Sequence, residues 1–130
     1  MIITIVFIVV MSVIGIMILK FSSASTTHTS RSFMDTRAEL MLRSATEYAI
    51  LALQGHDFNS TCLNKINLDD ELFDINITYH YFFTNCPSGC NYCSNIVTED
   101  TNGSVLVYVT VSSKNPNFHI RKVRFTLQNP

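Results

Sequence analysis

Residues 1–19 contain no charged side chain, and this stretch limits the chain more than any other feature. It is interrupted only by Thr4, Ser12 and Gly15; the remainder is Ile, Val, Met, Phe and Leu. At about 1.5 Å per residue, a helix of this length spans roughly 28 Å, close to the hydrocarbon thickness of a bilayer at about 30 Å. A cleaved secretory signal would need a charged start and a shorter apolar run of about 7–15 residues. A buried core helix would be shorter and less uniformly apolar. A retained transmembrane helix over 1–20, anchoring the chain in a lipid bilayer, is therefore expected.

The rest of the chain is small. Of 130 residues only 15% are charged, with nine basic against ten acidic, and there are four glycines. A nucleic-acid binder normally shows a basic stripe, so no nucleic-acid partner is expected. The roughly 110 residues after the apolar stretch are too few for a (β/α)₈ barrel, which needs about 250. No nucleophile, base and orienting group recur at a workable spacing, so neither an enzyme activity, a catalytic residue nor a cofactor is predicted.

After the first charge, Lys20, residues 21–30 include SSASTTHTS, which is small, hydroxylated and of low helix propensity. It reads as a flexible helical stretch or linker. From 31 to 55 a helical period returns: Met34, Ala38, Met41, Ala45, Tyr48, Ala49 and Ala52 fall at steps of three and four. Glu39 with Arg43, and Arg43 with Glu47, form i,i+4 pairs. Gly55 is placed to cap the helix end. The small residues of the stripe suit close packing on a sheet, with neighbouring helices on the other side.

Residues 56–130 read as an antiparallel β-meander. In 73–83, Phe73, Ile75, Ile77, Tyr79, Tyr81 and Phe83 alternate with Asp74, Asn76, Thr78 and His80. In 104–113, Val105, Val107, Val109 and Val111 share one face. In 118–127, Val123, Phe125 and Leu127 are expected inward, and Lys122, Arg124 and Thr126 outward. Thr101-Asn102-Gly103 and Lys114-Asn115-Pro116-Asn117 read as turns. The fold class is α+β, a long helix packed on a small antiparallel meander.

Cys62, Cys86, Cys90 and Cys93 flank the first of these strands. An even number in a short segment predicts two disulfides on the oxidising side of a membrane, with all three pairings open. A Cys₄ zinc site is the rival, although Cys62 and Cys86 lie too far apart to form a second knuckle, and no metal site is predicted. The Cys86-x₃-Cys90-x₂-Cys93 spacing matches the cluster motif of radical S-adenosylmethionine enzymes, but the large α/β barrel they require does not fit this chain. A thioredoxin-type redox pair fails because no amphipathic helix follows Cys93. Lys20 and Arg31 after the apolar helix lean toward a cytoplasmic C-terminal part. The cysteines argue for export and carry more weight.

Asn59, Asn76 and Asn102 each have Ser or Thr two residues on and Asp two residues before. The pattern resembles the extended acceptor of bacterial N-glycosylation, D/E-x-N-x-S/T, and composition alone predicts well under one such match. Attachment of glycans would require export, in agreement with the cysteines.

An apolar N-terminal helix running on into an amphipathic one, then a meander with disulfide-closed loops, resembles a type IV pilin or type II secretion pseudopilin. The resemblance covers the whole chain as architecture and rests on no short motif. Met1 is acceptable as a mature first residue of this kind. The family's usual Glu at the fifth mature position is Ile5 here, which looks more like a minor subunit. Gly15 and the 22–30 stretch resemble the region where pilin helices loosen in filaments. The resemblance implies a pilin-like structural subunit that partners other pilin-like subunits through its N-terminal helix, together with an inner-membrane assembly platform. It would be anchored in the inner membrane with the C-terminal domain periplasmic or extracellular. The alternatives are a single-pass anchored protein of an envelope complex and a zinc-binding module.

Overall fold

A computed structural model describes residues 2–57, 61–96 and 103–129. One helix, α1 (Ile2–Gln54), precedes five strands: β1 (Lys65–Asp69), β2 (Phe73–Phe83), β3 (Cys93–Asn95), β4 (Ser104–Ser113) and β5 (Arg121–Gln128). The chain divides into two compact units, residues 1–35 and 36–130. The fold class is α+β, as the sequence predicts.

The first unit is helical and carries its apolar side chains on the surface. The 21–30 stretch is helical too, and its weak propensity is offset locally. Thr26, Thr27 and Thr29 donate their hydroxyls to the carbonyls of Ser22, Ser23 and Ser25 at 2.9, 2.7 and 3.0 Å. Ser12 does the same toward Ile8. This i−4 back-bonding satisfies each hydroxyl inside the helix.

In the second unit the sheet order is β1-β2-β4-β5, each pair antiparallel, and β3 pairs parallel with the far end of β2. β2 is central because its alternation supplies a full apolar face. Phe73, Ile75, Ile77, Tyr79 and Tyr81 are buried, and so are Val105, Val107, Val109 and Val111 of β4. The helix closes this face with Ala38, Leu42, Ala45, Ala49 and Leu53. The expected stripe is rotated toward its C-terminal end. Leu42 and Leu53 take the places assigned to Met41 and Ala52, and Tyr48 is 48% exposed. Leu53 offers more apolar area than Ala52, and Met41 and Ala52 are left half-buried. Tyr79 lies wholly inside and donates its hydroxyl to the carbonyl of Ala49 at 3.0 Å.

Three further sequence expectations are corrected. Gly55 follows the helix end, but its N–H still bonds the carbonyl of Leu51 at 3.0 Å and its φ is not positive. It therefore extends the helical pattern instead of forming a left-handed cap. The meander also contains β1 and β3, and Cys93 opens β3 instead of lying in a loop.

The largest correction is β5, whose faces are the reverse of those expected. Its register pairs Val111 with Lys122, Val109 with Arg124, Val107 with Thr126 and Val105 with Gln128. Residues directly opposite in an antiparallel ladder share a face. The valines already face the helix, so Lys122, Arg124, Thr126 and Gln128 share their side. Val123, Phe125 and Leu127 are left 42%, 71% and 60% exposed on the other. Ile120, buried just before the strand, has the parity of the inner face. Arg124 then reaches Glu39 of the helix at 3.3 Å, and Glu39 is 3.7 Å from Arg43.

The Tyr79 hydroxyl ties helix to sheet across a dry interface. Tyr79→Phe is expected to cost about 1 kcal/mol, one net hydrogen bond. Ala49→Leu at the same contact is expected to cost about 1–3 kcal/mol through overpacking. Thermal unfolding of the full chain in detergent micelles, followed by circular dichroism, measures both.

Candidate functional site

Three features stand out as places where this chain could act: the apolar helix surface, the cysteine-linked loops and the outer face of the sheet.

The apolar helix surface is the most extensive. From Ile2 to Leu19 every large apolar side chain is 47% to 84% exposed. The helix is long and apolar enough to cross a membrane and is a candidate membrane anchor. Of the hydroxyls that follow it, those of Thr26, Thr27 and Thr29 are bonded back to their own helix, so these three can enter an apolar packing environment without stranding a donor. Farther along, Leu40, Tyr48 and Leu51 form a second exposed line on the helix surface turned away from the sheet.

The four cysteines are paired: Cys62 with Cys90, and Cys86 with Cys93. The pairing puts no free thiol beside a metal, and no group of three or more His, Cys, Asp or Glu among the described residues is placed to hold one. The bridged loops gather on the end of β2. Tyr81 donates its hydroxyl to the carbonyl of Leu63 at 2.7 Å and accepts from the Leu63 N–H at 3.1 Å. Burial pushes the Tyr81 phenol above its ordinary pKa, and the bond to Leu63 opposes that. Burial likewise raises that of Tyr79, with the neighbouring Tyr81 and Tyr48 adding to it. Asn64 holds the loop, donating to the carbonyl of Gly89 at 3.1 Å and accepting from the N–H of Asn91 at 2.9 Å. Gly89 has a φ of 101°, a conformation that favours glycine. His80 stacks on Tyr92 with ring centroids 4.8 Å apart, so its ring serves packing on the sheet's outer face.

At the opposite end of the sheet, Lys114 clasps two turns. Its ammonium contacts Asp69 directly and lies 3.8 Å from Asp74. The hydrogen bond from Lys114 holds the Asp69 carboxyl below the usual range, and the same bond raises Lys114. Arg37 of the helix lies 3.9 Å from Asp70.

Of the three acceptor asparagines, Asn59 and Asn102 lie outside the described residues. Asn76 sits in the middle of β2, between Asn67 of β1 and Thr110 of β4. Its backbone is engaged on both sides. β1 and β3 were not foreseen in the sequence, although Ile66 and Leu68 alternating with Lys65, Asn67 and Asp69 was the available signal for β1.

Compared with protein-family models, curated proteins and solved structures, the chain matches none of them.

Two measurements follow from these loops and turns. The Cys62–Cys90 bridge spans 28 residues and Cys86–Cys93 spans seven. By loop entropy, replacing both cysteines of the first pair by Ser is expected to cost about 3.5 kcal/mol, against about 2.5 kcal/mol for the second. Thermal unfolding of the two double variants gives the order. For the clasp, Asp69 is depressed, so its stabilisation is full above the ordinary carboxylate range and lost as pH falls through the folded value. Lys114 is raised, so its share is full below the ordinary lysine range and lost as pH rises through the folded value. The melting temperature of the natural chain is therefore expected to exceed that of Lys114→Met at neutral pH. The gap is expected to close on acidification below the ordinary aspartate range.

Proposed function

We propose that this chain is a non-enzymatic, membrane-anchored structural subunit of pilin-like type. It assembles through its N-terminal helix with other pilin-like subunits into a filament or a secretion or DNA-uptake pseudopilus. The observation that carries the reading is the continuous exposed apolar surface of α1 over residues 2–19. Such a surface is stable in a lipid bilayer, and it is equally stable packed against copies of itself, because both environments remove it from water. A subunit of this kind can leave the membrane without an intervening state in water.

Three further features support the reading. The back-bonded hydroxyls of residues 22–30 let the apolar packing extend beyond the membrane stretch. The exposed Leu40, Tyr48 and Leu51 supply apolar contacts on the part of the helix that carries the sheet. The two disulfides suit an oxidising compartment, so the β-domain is assigned to the periplasmic or extracellular side of the inner membrane. An inner-membrane assembly platform would be the partner that moves the subunit out of the bilayer. Ile5, where the resembled family usually has Glu, assigns the chain to a minor position.

Single cysteines placed along residues 5–20 of the full chain test the reading in native membranes. Helix-to-helix crosslinking with a repeat near 3.6 residues, together with recovery of the protein in sheared surface filaments, is the expected result. An anchored monomer that never crosslinks and never appears in sheared material identifies the simple single-pass envelope protein instead.

A further inference from the structure

The two edges of the sheet are unlike each other. Edge strands are ordinarily blunted by shortness, charge or proline, because unpaired N–H and C=O groups template further pairing. β1 is blunted: it has five residues and turns Lys65, Asn67 and Asp69 outward. β5 is longer, and its charges differ in place: Lys122 and Arg124 lie on the helix side, while its outer face carries Val123, Phe125 and Leu127 beside Arg121; it contains no proline and pairs with β4 alone.

Topology restricts what can cover this edge. The path β1-β2-β4-β5 alternates in direction at every step, so β1 and β5 run antiparallel to each other. A second copy set alongside without being turned over therefore offers its β1 antiparallel to β5, with the helix layers on one common face. A two-fold pairing of β5 with β5 would instead reverse residues 36–54 of one copy relative to the other.

Side chains agree with the unturned arrangement. The registers align Asp69, Asp74, Ser112 and Arg121 in one row across the sheet, and Lys65, Thr78, Tyr108 and Phe125 in another. A third row joins His80, Leu106 and Leu127, with Tyr92 stacked on His80. Continuing the rows across the boundary sets Arg121 beside Asp69 of the second copy and Phe125 beside its Lys65. Leu127 then comes next to its Tyr92, which is 46% exposed. These are an opposite-charge pair, a cation over an aromatic ring and an aromatic–aliphatic contact. The outer-face charges have the same sense: Arg121 of β5 would join Lys114 on the Asp69 carboxylate, while Arg124 stays with Glu39 and Asp70 with Arg37 inside one copy.

We propose that β5 docks head-to-tail on β1 of a second copy, continuing the sheet from one β-domain to the next. This rests on the assembly reading above and adds a contact to it outside the helices. Unlike a two-fold contact, a head-to-tail one does not close on itself in a pair, so it can extend along a row of subunits.

The full chain, with photo-crosslinking p-benzoylphenylalanine in place of Phe125, is irradiated in native membranes containing isotopically heavy and light copies. Mass spectrometry then locates the crosslinks. Heavy-to-light products joining position 125 to residues 64–69 or to Tyr92 are expected. Arg121→Glu is expected to lower their yield about fivefold, the effect of turning one opposite-charge cross-strand pair into a like-charge one, and Arg121→Lys to keep it. Crosslinks from position 125 to β5 of another copy, to a different protein, or to nothing, while the helix cysteines still crosslink, overturn the edge contact and leave the assembly reading standing. Loss of the helix crosslinks as well overturns both.

Discussion

An apolar helix surface that water cannot accommodate governs the rest of this structure. Eighteen or so consecutive residues with hardly a polar atom outside the backbone would cost far more in water than a small domain has in net stability. The segment must be covered by something other than its own chain, because none of those side chains is buried within it. The β-domain is built with its own core and does not draw on this surface. The valines of β4, the aromatic and isoleucine face of β2 and the alanines and leucines of residues 36–54 bury one another. Residues 36–130 thus carry a core of their own, separate from the exposed apolar surface of residues 2–19.

Much of this was legible because the patterns were strong and local. The charge-free opening stretch, the alternation of 73–83 and the four valines of 104–113 each point to a single structure. The β5 strand was misread for an instructive reason. Val123, Phe125 and Leu127 are the apolar residues of that segment, and a rule that sends apolar residues inward turns them to the core. The hydrogen-bond register to β4 decides otherwise, because it places Lys122 and Arg124 opposite valines that already face the helix. Ile120, two residues ahead of Lys122, carried the correct parity in the sequence, but it lies before the strand and was outweighed by three larger signals. The cysteine pairing was not legible at all. It depends on β3 folding back beside β2, a parallel contact that no local pattern announces.

The helix stripe shows the same lesson on a smaller scale. Steps of three and four from Met34 fit more than one line along a helix. Leu42 and Leu53, not Met41 and Ala52, form the buried one, in line with Ala38, Ala45 and Ala49. Similarly, propensity alone leaves the hydroxyl-rich stretch open between a flexible helical stretch and a linker. Back-bonding to carbonyls one turn earlier lets it remain helical.

The two bridges interlock, since Cys86 lies inside the loop closed by Cys62 and Cys90 while its partner Cys93 lies outside. Together their overlapping loops cover residues 62–93, which hold β1, β2 and the first residue of β3, and leave β4 and β5 outside. When the domain opens, the bridged strands keep a compact, pre-paired ensemble even after their side-chain packing is gone. β5 lies outside these loops and pairs with β4 alone, so slow amide exchange should retreat across the sheet from that margin toward the bridged strands.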